Sequence, residues 1–285
     1  MNKDEKITLK PYLKWAGGKR QLLAEIKNHL PGNIDKYTYY EPFIGAGALF
    51  FELQPKRAII NDFNAQLILT YRAIKENIEQ LIELLRTHRE NNDKEYYYKI
   101  RNLDRNTDEF NKLTDTEKAA RLIFLNKTCF NGLYRVNSQG LFNVPHGKNK
   151  NPAIYDETLL RQIGNYLNSN DITILNTDFE QAVTNADTNS FIYFDPPYHR
   201  LDKTSFTGYQ ADGFLETEQE RLRNVMITMA ERGVKCLLSN SDTEFIRGLY
   251  AHGYFEIIPV SARRLINADS GGRGAVNEVL IKNWK

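Results

Sequence analysis

Strand and helix signals alternate at both ends of this chain and fail in its middle, which narrows the fold more than any other feature. Residues 37–41 form a β-prone run that breaks at Pro42 and passes through Phe43-Ile44-Gly45-Ala46-Gly47 into a helix-like stretch, residues 48–53. Residues 57–61 form a second strand that ends at Asp62. From Asn64, a helical rhythm runs through Leu67, Ile68, Tyr71, Ile74, Ile78, Leu81, Ile82 and Leu85. Residues 88–117 are polar, 118–128 read as helix, Asn131-Gly132 is a turn signal and 141–145 a short extended piece. Strand signals return at 172–175 and 191–194. A helix is expected from Thr217, with a capping box to Glu220, an apolar face of Leu222, Val225, Met226 and Met229, and a stop at Gly233. Residues 234–238 are a strand, and 255–260 with 275–281 form a last strand pair around the Gly-rich loop 270–274.

Such alternation predicts an α/β fold, a mostly parallel sheet with helices on both faces. The strand-poor middle reads as a mainly helical insertion. The expected domains are a discontinuous sheet domain, 1–66 and 156–285, interrupted by a smaller one, 67–155. At 285 residues with 41% hydrophobic content, the chain has enough apolar material for both.

Charge excludes one mode of action. Lys plus Arg is 38, Asp plus Glu is 36 and the net charge is +2, so bulk charge does not bind a polyanion. The balance is an average. Residues 118–155 hold six bases and no acid, while 76–117 hold eleven acids against seven bases. A compact basic face is therefore expected from the insertion and the loop between Lys14 and Arg20. Cys129 and Cys236 lack CxxC spacing, and the N-terminus has no apolar signal segment, so a reducing, cytoplasmic compartment is expected. No run approaches a membrane span. The five histidines have no ligand spacing, so no metal is expected.

Three motifs carry chemistry. Gly45-Ala46-Gly47 lies between strand and helix, where a backbone can approach a ligand, and Asp62 ends the next strand, where an acid binds ribose hydroxyls. A tight turn with a helix N-cap would explain the same residues. The nicotinamide fingerprint is broken by Phe50 at its third small position. Lys14-Trp15-Ala16-Gly17-Gly18-Lys19-Arg20 lacks the spacing of a phosphate loop and suits a ligand-capping loop or a structural turn. The sharpest signal is Asp195-Pro196-Pro197-Tyr198, delivered to the sheet edge by the strand before it. An exocyclic amino group on a nucleobase is a poor nucleophile because its lone pair is delocalised. The Asp195 carboxylate and the Pro196 carbonyl, as two fixed acceptors, would draw both N–H groups and favour a pyramidal nitrogen, a stabilisation specific to the transition state. Tyr198 would stack on the base.

These pieces, LKWAGGKR, YEPFIGAGALF, NDFN, FNGLYRVNSQGLFNVP, NTDF and YFDPPY, occur in that order between residues 13 and 198. Together with TSFTGY and the C-terminal strand pair, they make the chain resemble the Dam-type DNA adenine-N6 methyltransferases, the group whose Gly motif precedes the recognition domain. The resemblance implies a Rossmann-like, S-adenosylmethionine-dependent sheet with an antiparallel edge, an inserted DNA-recognition domain, and a prokaryotic or phage setting. It implies that S-adenosylmethionine is the methyl donor, bound by Trp15, Ala16, Lys19, Phe43, Gly45, Gly47, Asp62, Asp178, Phe179 and Asp195. It implies double-stranded DNA as partner, with the target adenine flipped out of the helix. Phe130, beside Asn131, matches the intercalating aromatic, and Lys14, Leu133, Arg135 and Pro145 match positions that read GATC. Taken alone, Phe130 and Leu133 would read as core and Arg135 as a solvated arginine.

Other chemistries fit less well. Cytosine-C5 transfer needs a Pro-Cys nucleophile, but Cys129 follows Thr and Cys236 follows Lys. Cytosine-N4 transfer shares the acceptor geometry, though those enzymes usually carry Ser in place of Asp195. Protein glutamine methyltransferases usually carry Asn there and lack the insertion. A non-catalytic DNA-binding protein would keep the insertion but lose the tetrapeptide.

Overall fold

The computed structural model describes residues 8–15, 17, 22–149, 151–199, 214–251, 253–262 and 276–285. Its strands are β1 (Thr38–Glu41), β2 (Arg57–Asn61), β3 (Asp171–Leu175), β4 (Ser190–Phe194), β5 (Lys235–Ser241), β6 (Glu256–Ala262) and β7 (Val276–Lys282). They form one seven-stranded sheet in the order β3-β2-β1-β4-β5-β7-β6. β1 to β5 pair in parallel, and β7 runs antiparallel between β5 and β6 at one edge. This is the expected Rossmann-like sheet, mostly parallel with an antiparallel edge. β4 is buried at every residue, as a central strand covered on both faces must be.

The helices are α1 (Leu23–Asn28), α2 (Ala48–Leu53), α3 (Ala65–Glu76), α4 (Ile78–Glu90), α5 (Lys94–Asn102), α6 (Thr107–Lys112), α7 (Asp115–Thr128), α8 (Glu157–Ser169), α9 (Phe179–Ala182), α10 (Glu216–Glu231) and α11 (Glu244–Leu249). α3 to α7 form the helical insertion between β2 and β3, and α8 leads back to the sheet. One apolar cluster runs from Tyr39, Ile60 and Phe191 of the sheet through Leu67, Tyr71 and Ile74 of α3 to Ala120 and Ile123 of α7. A second covers the opposite face with Leu222, Met226 and Met229 of α10. A third, with Tyr97, Phe124, Tyr134 and Phe142, lies within the insertion.

Local chemistry departs from the sequence reading in two places. The rhythm from Leu67 to Leu85 is two helices, α3 and α4, divided at Asn77, whose φ of −136° is not helical. Apolar spacing survives because both helices pack into the same apolar cluster. The capping box expected at Thr217 and Glu220 does not form: α10 begins at Glu216, so Thr217 lies inside its first turn and Leu215 stands at the N-cap. A capping box does occur at Thr114 and Glu117, opening α7. The Gly-rich loop 270–274 and the TSFTGY segment lie outside the described residues. Among the described residues, no helix is long and apolar enough to cross a membrane.

Candidate active site

The parallel strands place the loops after β3, β2, β1 and β4 side by side at their carboxyl ends, where ligands of such sheets bind. The loop after β1 carries Phe43, Gly45 and Gly47. Gly47 has φ of +72°, which L side chains rarely adopt, and a Cβ there would lie 2.8 Å from the Tyr71 hydroxyl. Tyr71 of α3 donates to the Gly45 carbonyl at 2.9 Å. The insertion thus helps shape this loop. Gly45 N–H donates to Asp62 Oδ2 at 3.0 Å, and Asn64 N–H to Asp62 Oδ1 at 2.9 Å. Burial pushes the Asp62 carboxyl up to about 6, against these two hydrogen bonds. Buried Asn61 donates to the Pro42 and Thr177 carbonyls, each at 3.0 Å, tying the loops after β1 and β3 together.

The loop after β3 brings Asp178 and Phe179. Asp178 caps α9 through Glu180 N–H and is paired with Arg221 of α10, which lies over the Phe179 ring at 4.4 Å. Phe179 packs at 5.3 Å from Phe43, and Phe214 meets both rings, forming an aromatic wall.

The loop after β4 is the tetrapeptide. Ser239 of β5 donates to Asp195 Oδ1 at 2.9 Å. The Tyr193 hydroxyl lies 3.0 Å from Ser239 Oγ. Ser239 has committed its proton to Asp195, so Tyr193 is the donor; burial holds its phenol well above the usual range and keeps that proton in place. The Pro197 carbonyl accepts from Gln219 at 2.9 Å, and Gln219 accepts from Asn240 at 3.0 Å. Among the described residues none donates to the Pro196 carbonyl. The Tyr198 hydroxyl donates to Glu278 of β7 at 2.8 Å. Burial, with Asp195 and Glu278 nearby, holds the Tyr198 phenol protonated.

The 3₁₀ turn Phe130–Gly132 follows the end of α7. Phe130 is 42% exposed and Leu133 40%, so neither is core. Phe130 N–H donates to the Pro145 carbonyl at 2.9 Å, which places Pro145 beside the turn. Fully buried Asn126 accepts from Lys14 N–H at 2.9 Å and donates to the Lys14 and Gly132 carbonyls at 2.7 and 3.1 Å. Gly132 has φ of +67°, and a Cβ there would lie 2.3 Å from Lys14 Cδ. Lys14, Phe130, Asn131, Leu133 and Pro145 are thus held as one group. Arg135 is exposed, with its Nε on Asn143 Oδ1 at 2.7 Å. Trp15 stacks on Tyr134 at 4.9 Å, and a Cβ on Gly45 would lie 3.2 Å from its Cδ1, so the indole bridges the two halves of the site. Ala16 and Lys19 lie outside the described residues.

The basic face is smaller than the sequence count. Arg121, one of the six bases in 118–155, is 1% exposed and paired with Asp104. Lys118 is largely covered, near Asp115 and over the Phe110 ring. An amphipathic helix supplies bases to its inner as well as its outer side. Lys14, Arg135 and Lys148 are exposed, and Lys127 is half-buried.

Sequence reading missed Tyr71, Asn126, Ser239, Gln219, Asn240 and Glu278. The run Ser239-Asn240-Ser241 was visible as polar residues closing an apolar strand, a signal for side chains with fixed partners. Exposed Phe63, next to Asp62, was likewise legible as a lone aromatic outside any apolar face.

The residues at this sheet edge are compatible in kind with S-adenosylmethionine. Asp62 is a carboxylate of the kind that accepts from a ribose diol, Phe43 and Phe179 are apolar rings of the kind that line a purine site, and the close approach of Trp15 and Tyr71 to Gly45 and Gly47 leaves no room for a side chain on either glycine. No phosphate-binding lysine is needed for a sulfonium donor.

A family model described as D12 class N6 adenine-specific DNA methyltransferase matches residues 15–266. The chain is 47% identical over 281 residues to the type II methyltransferase M1.LlaDCHI of Lactococcus lactis subsp. cremoris, covering 98% of this chain and 97% of that one. It is 44% identical over 301 residues to the type II methyltransferase M.MjaIII of Methanocaldococcus jannaschii, covering 98% and 100%. It is 34% identical over 273 residues to the DNA adenine methylase of Escherichia coli K12, covering 94% and 93%.

Proposed function

The chain belongs to the D12 class of N6 adenine-specific DNA methyltransferases, and from that premise we propose that it methylates adenine in GATC, with residues 67–155 providing most of the sequence recognition. When bound, S-adenosylmethionine supplies an electrophilic methyl group. Phe43, Gly45, Gly47, Asp62, Asp178 and Phe179 hold the donor, with Trp15 closing the site on the recognition side; the family motif adds Ala16 and Lys19.

Asp195 and the Pro196 carbonyl accept the two N–H groups of the flipped adenine. Their rigidity comes from Ser239 on Asp195 and from Gln219 on the neighbouring carbonyl. Held this way, the amino nitrogen approaches its pyramidal reacting form before transfer, so little reorganisation remains for the transition state. After transfer the nitrogen sheds one proton, which the Asp195 carboxylate takes up in this reading. Tyr198, fixed by Glu278, stacks on the base. Phe130 fills the gap that the flipped base leaves, a stacking contact worth roughly 1–3 kcal/mol.

The observation that carries the GATC reading is the exposed group of Lys14, Phe130, Leu133 and Pro145, with Arg135 on the adjoining hairpin. Labelled methyl transfer to duplexes containing GATC, each one-base variant, or no adenine tests it. GATC duplexes are expected to be methylated, and each variant to react at least ten-fold more slowly. Equal rates on a variant would refute GATC as the target. Arg135→Ala is expected to relax discrimination at one base pair by roughly 5- to 100-fold, as for loss of a bidentate base contact. Uniformly weaker binding would instead assign Arg135 to a phosphate. Phe130→Ala should raise the KM for ordinary duplexes but hardly affect a duplex whose target adenine faces an abasic site, since the flip is then nearly complete.

A further inference from the structure

Val136 and Phe142 are partners in a short antiparallel pair, flanked by the bonds Asn137 N–H to Leu141 O and Asn143 N–H to Arg135 O, 2.9 and 3.0 Å. In such a pair, alternate residues turn their N–H and C=O away from the partner strand. Phe142 is one of these and is buried, so its two outward groups need partners. Asp104 Oδ2 accepts the Phe142 N–H at 2.9 Å, and Arg105 donates to the Phe142 carbonyl.

Asp104 is itself buried within a charged triad. Arg105 meets its Oδ1, and Arg121 Nη2 lies 2.8 Å from its Oδ2. Arg121, from α7, also donates to the Ile100 and Arg101 carbonyls at 2.9 and 2.7 Å, at the end of α5. The triad therefore joins two helices of the insertion to one residue of the hairpin. The next residue, Asn143, holds the Arg135 guanidinium.

We propose that Asp104 is a positioning residue for base discrimination: with Arg105 it stands in for a neighbouring strand and fixes the hairpin edge that orients Arg135. This rests on the reading of Arg135 as a base-contacting residue. A guanidinium must meet a base edge with both donors aligned, so a small shift at Phe142, passed through Asn143, removes discrimination without touching the reacting atoms. A buried charge cluster of this kind is a poor source of stability, because desolvation offsets much of its attraction, whereas it can define one geometry.

The test compares Asp104→Asn, Arg105→Ala and Arg135→Ala in the full chain, using kcat and KM on GATC and on every one-base variant. Both clamp variants are expected to lose roughly ten-fold in discrimination at the pair affected by Arg135→Ala, and at no other. On GATC itself KM should rise while kcat stays within about two-fold, since Asp195 and Ser239 are untouched. Either clamp variant, combined with Arg135→Ala, should add nothing further at that pair. If Arg135→Ala relaxes one pair but Arg105→Ala and Asp104→Asn leave it unchanged, or relax all pairs alike, the positioning role is overturned. If Arg135→Ala itself changes no pair, the reading of Arg135 fails instead. Should Asp104→Asn not fold, Arg105→Ala decides the matter, since it keeps the Asp104–Arg121 pair.

Discussion

Replacing Asp195 with alanine is expected to lower methyl transfer about a thousand-fold while changing cofactor affinity only a few-fold. The loss is large because Asp195 is one of only two acceptors proposed to localise the lone pair on the adenine nitrogen, and removal of one preorganised group of this kind typically costs about 10²–10³ in rate. Cofactor binding is expected to survive because Asp62 and the Phe43–Phe179 wall lie on other loops. Asp195→Asn keeps a carbonyl acceptor but not the charge, so it should fall between wild type and alanine. Ser239→Ala removes the hydrogen bond that orients the carboxylate and should cost about ten-fold in kcat, with KM for DNA unchanged. Single-turnover transfer of a labelled methyl group, with calorimetric cofactor titration, measures both quantities. Turnover by Asp195→Ala within ten-fold of wild type would remove Asp195 from its assigned role.

Asp62→Ala carries the second large effect: cofactor binding is expected to weaken by roughly 10²–10⁴-fold, with kcat at saturating cofactor much less affected. A carboxylate that meets two hydroxyls makes charge-assisted bonds worth about 1.5–3 kcal/mol each, and its loss also releases Gly45 N–H. The same group predicts a pH dependence. Asp62 titrates near 6 in the folded chain against 3.8 for an ordinary carboxyl, because of burial. A raised value means that the folded state holds the proton more firmly than the unfolded state. Between about pH 4 and 6 the free enzyme therefore loses stability as pH rises. A ribose diol donates to the carboxylate form, so cofactor affinity should rise through pH 6 and then level off. The increase in Tm on adding S-adenosylmethionine should accordingly be larger at pH 8 than at pH 5. An increase equal at both values, or larger at pH 5, would show that Asp62 does not meet the donor as a carboxylate.

Legibility in the sequence followed the range of the interactions. The loop Gly45-Ala46-Gly47 and the tetrapeptide were readable because their chemistry is local: a glycine at φ of +72° and two prolines at the end of a buried strand leave the backbone few alternatives. The apolar faces of α3, α4 and α10 were readable for the same reason, since burial on one side imposes a period of about 3.6. The division at Asn77 and the true start of α10 were not, because apolar spacing does not register a single non-helical residue, and a Thr-x-x-Glu pattern suits an exposed helical turn as well as a cap. Phe130 and Leu133 looked like core by residue type and proved exposed, while Arg121 looked like surface and proved buried. Residue type alone misplaced all three.

By itself, the sequence determined the α/β class, the strand–loop–helix units and the family, because each follows from short-range periodicity, turn chemistry or an ordered set of motifs. The tertiary structure decided which groups hold those residues still. Asn126 meets Lys14 across 112 positions, Ser239 meets Asp195 across 44, and Asp104 meets Phe142 across 38. Each contact satisfies a polar group that the fold has removed from water. Which polar groups lose their water is known only once the sheet and the insertion have packed.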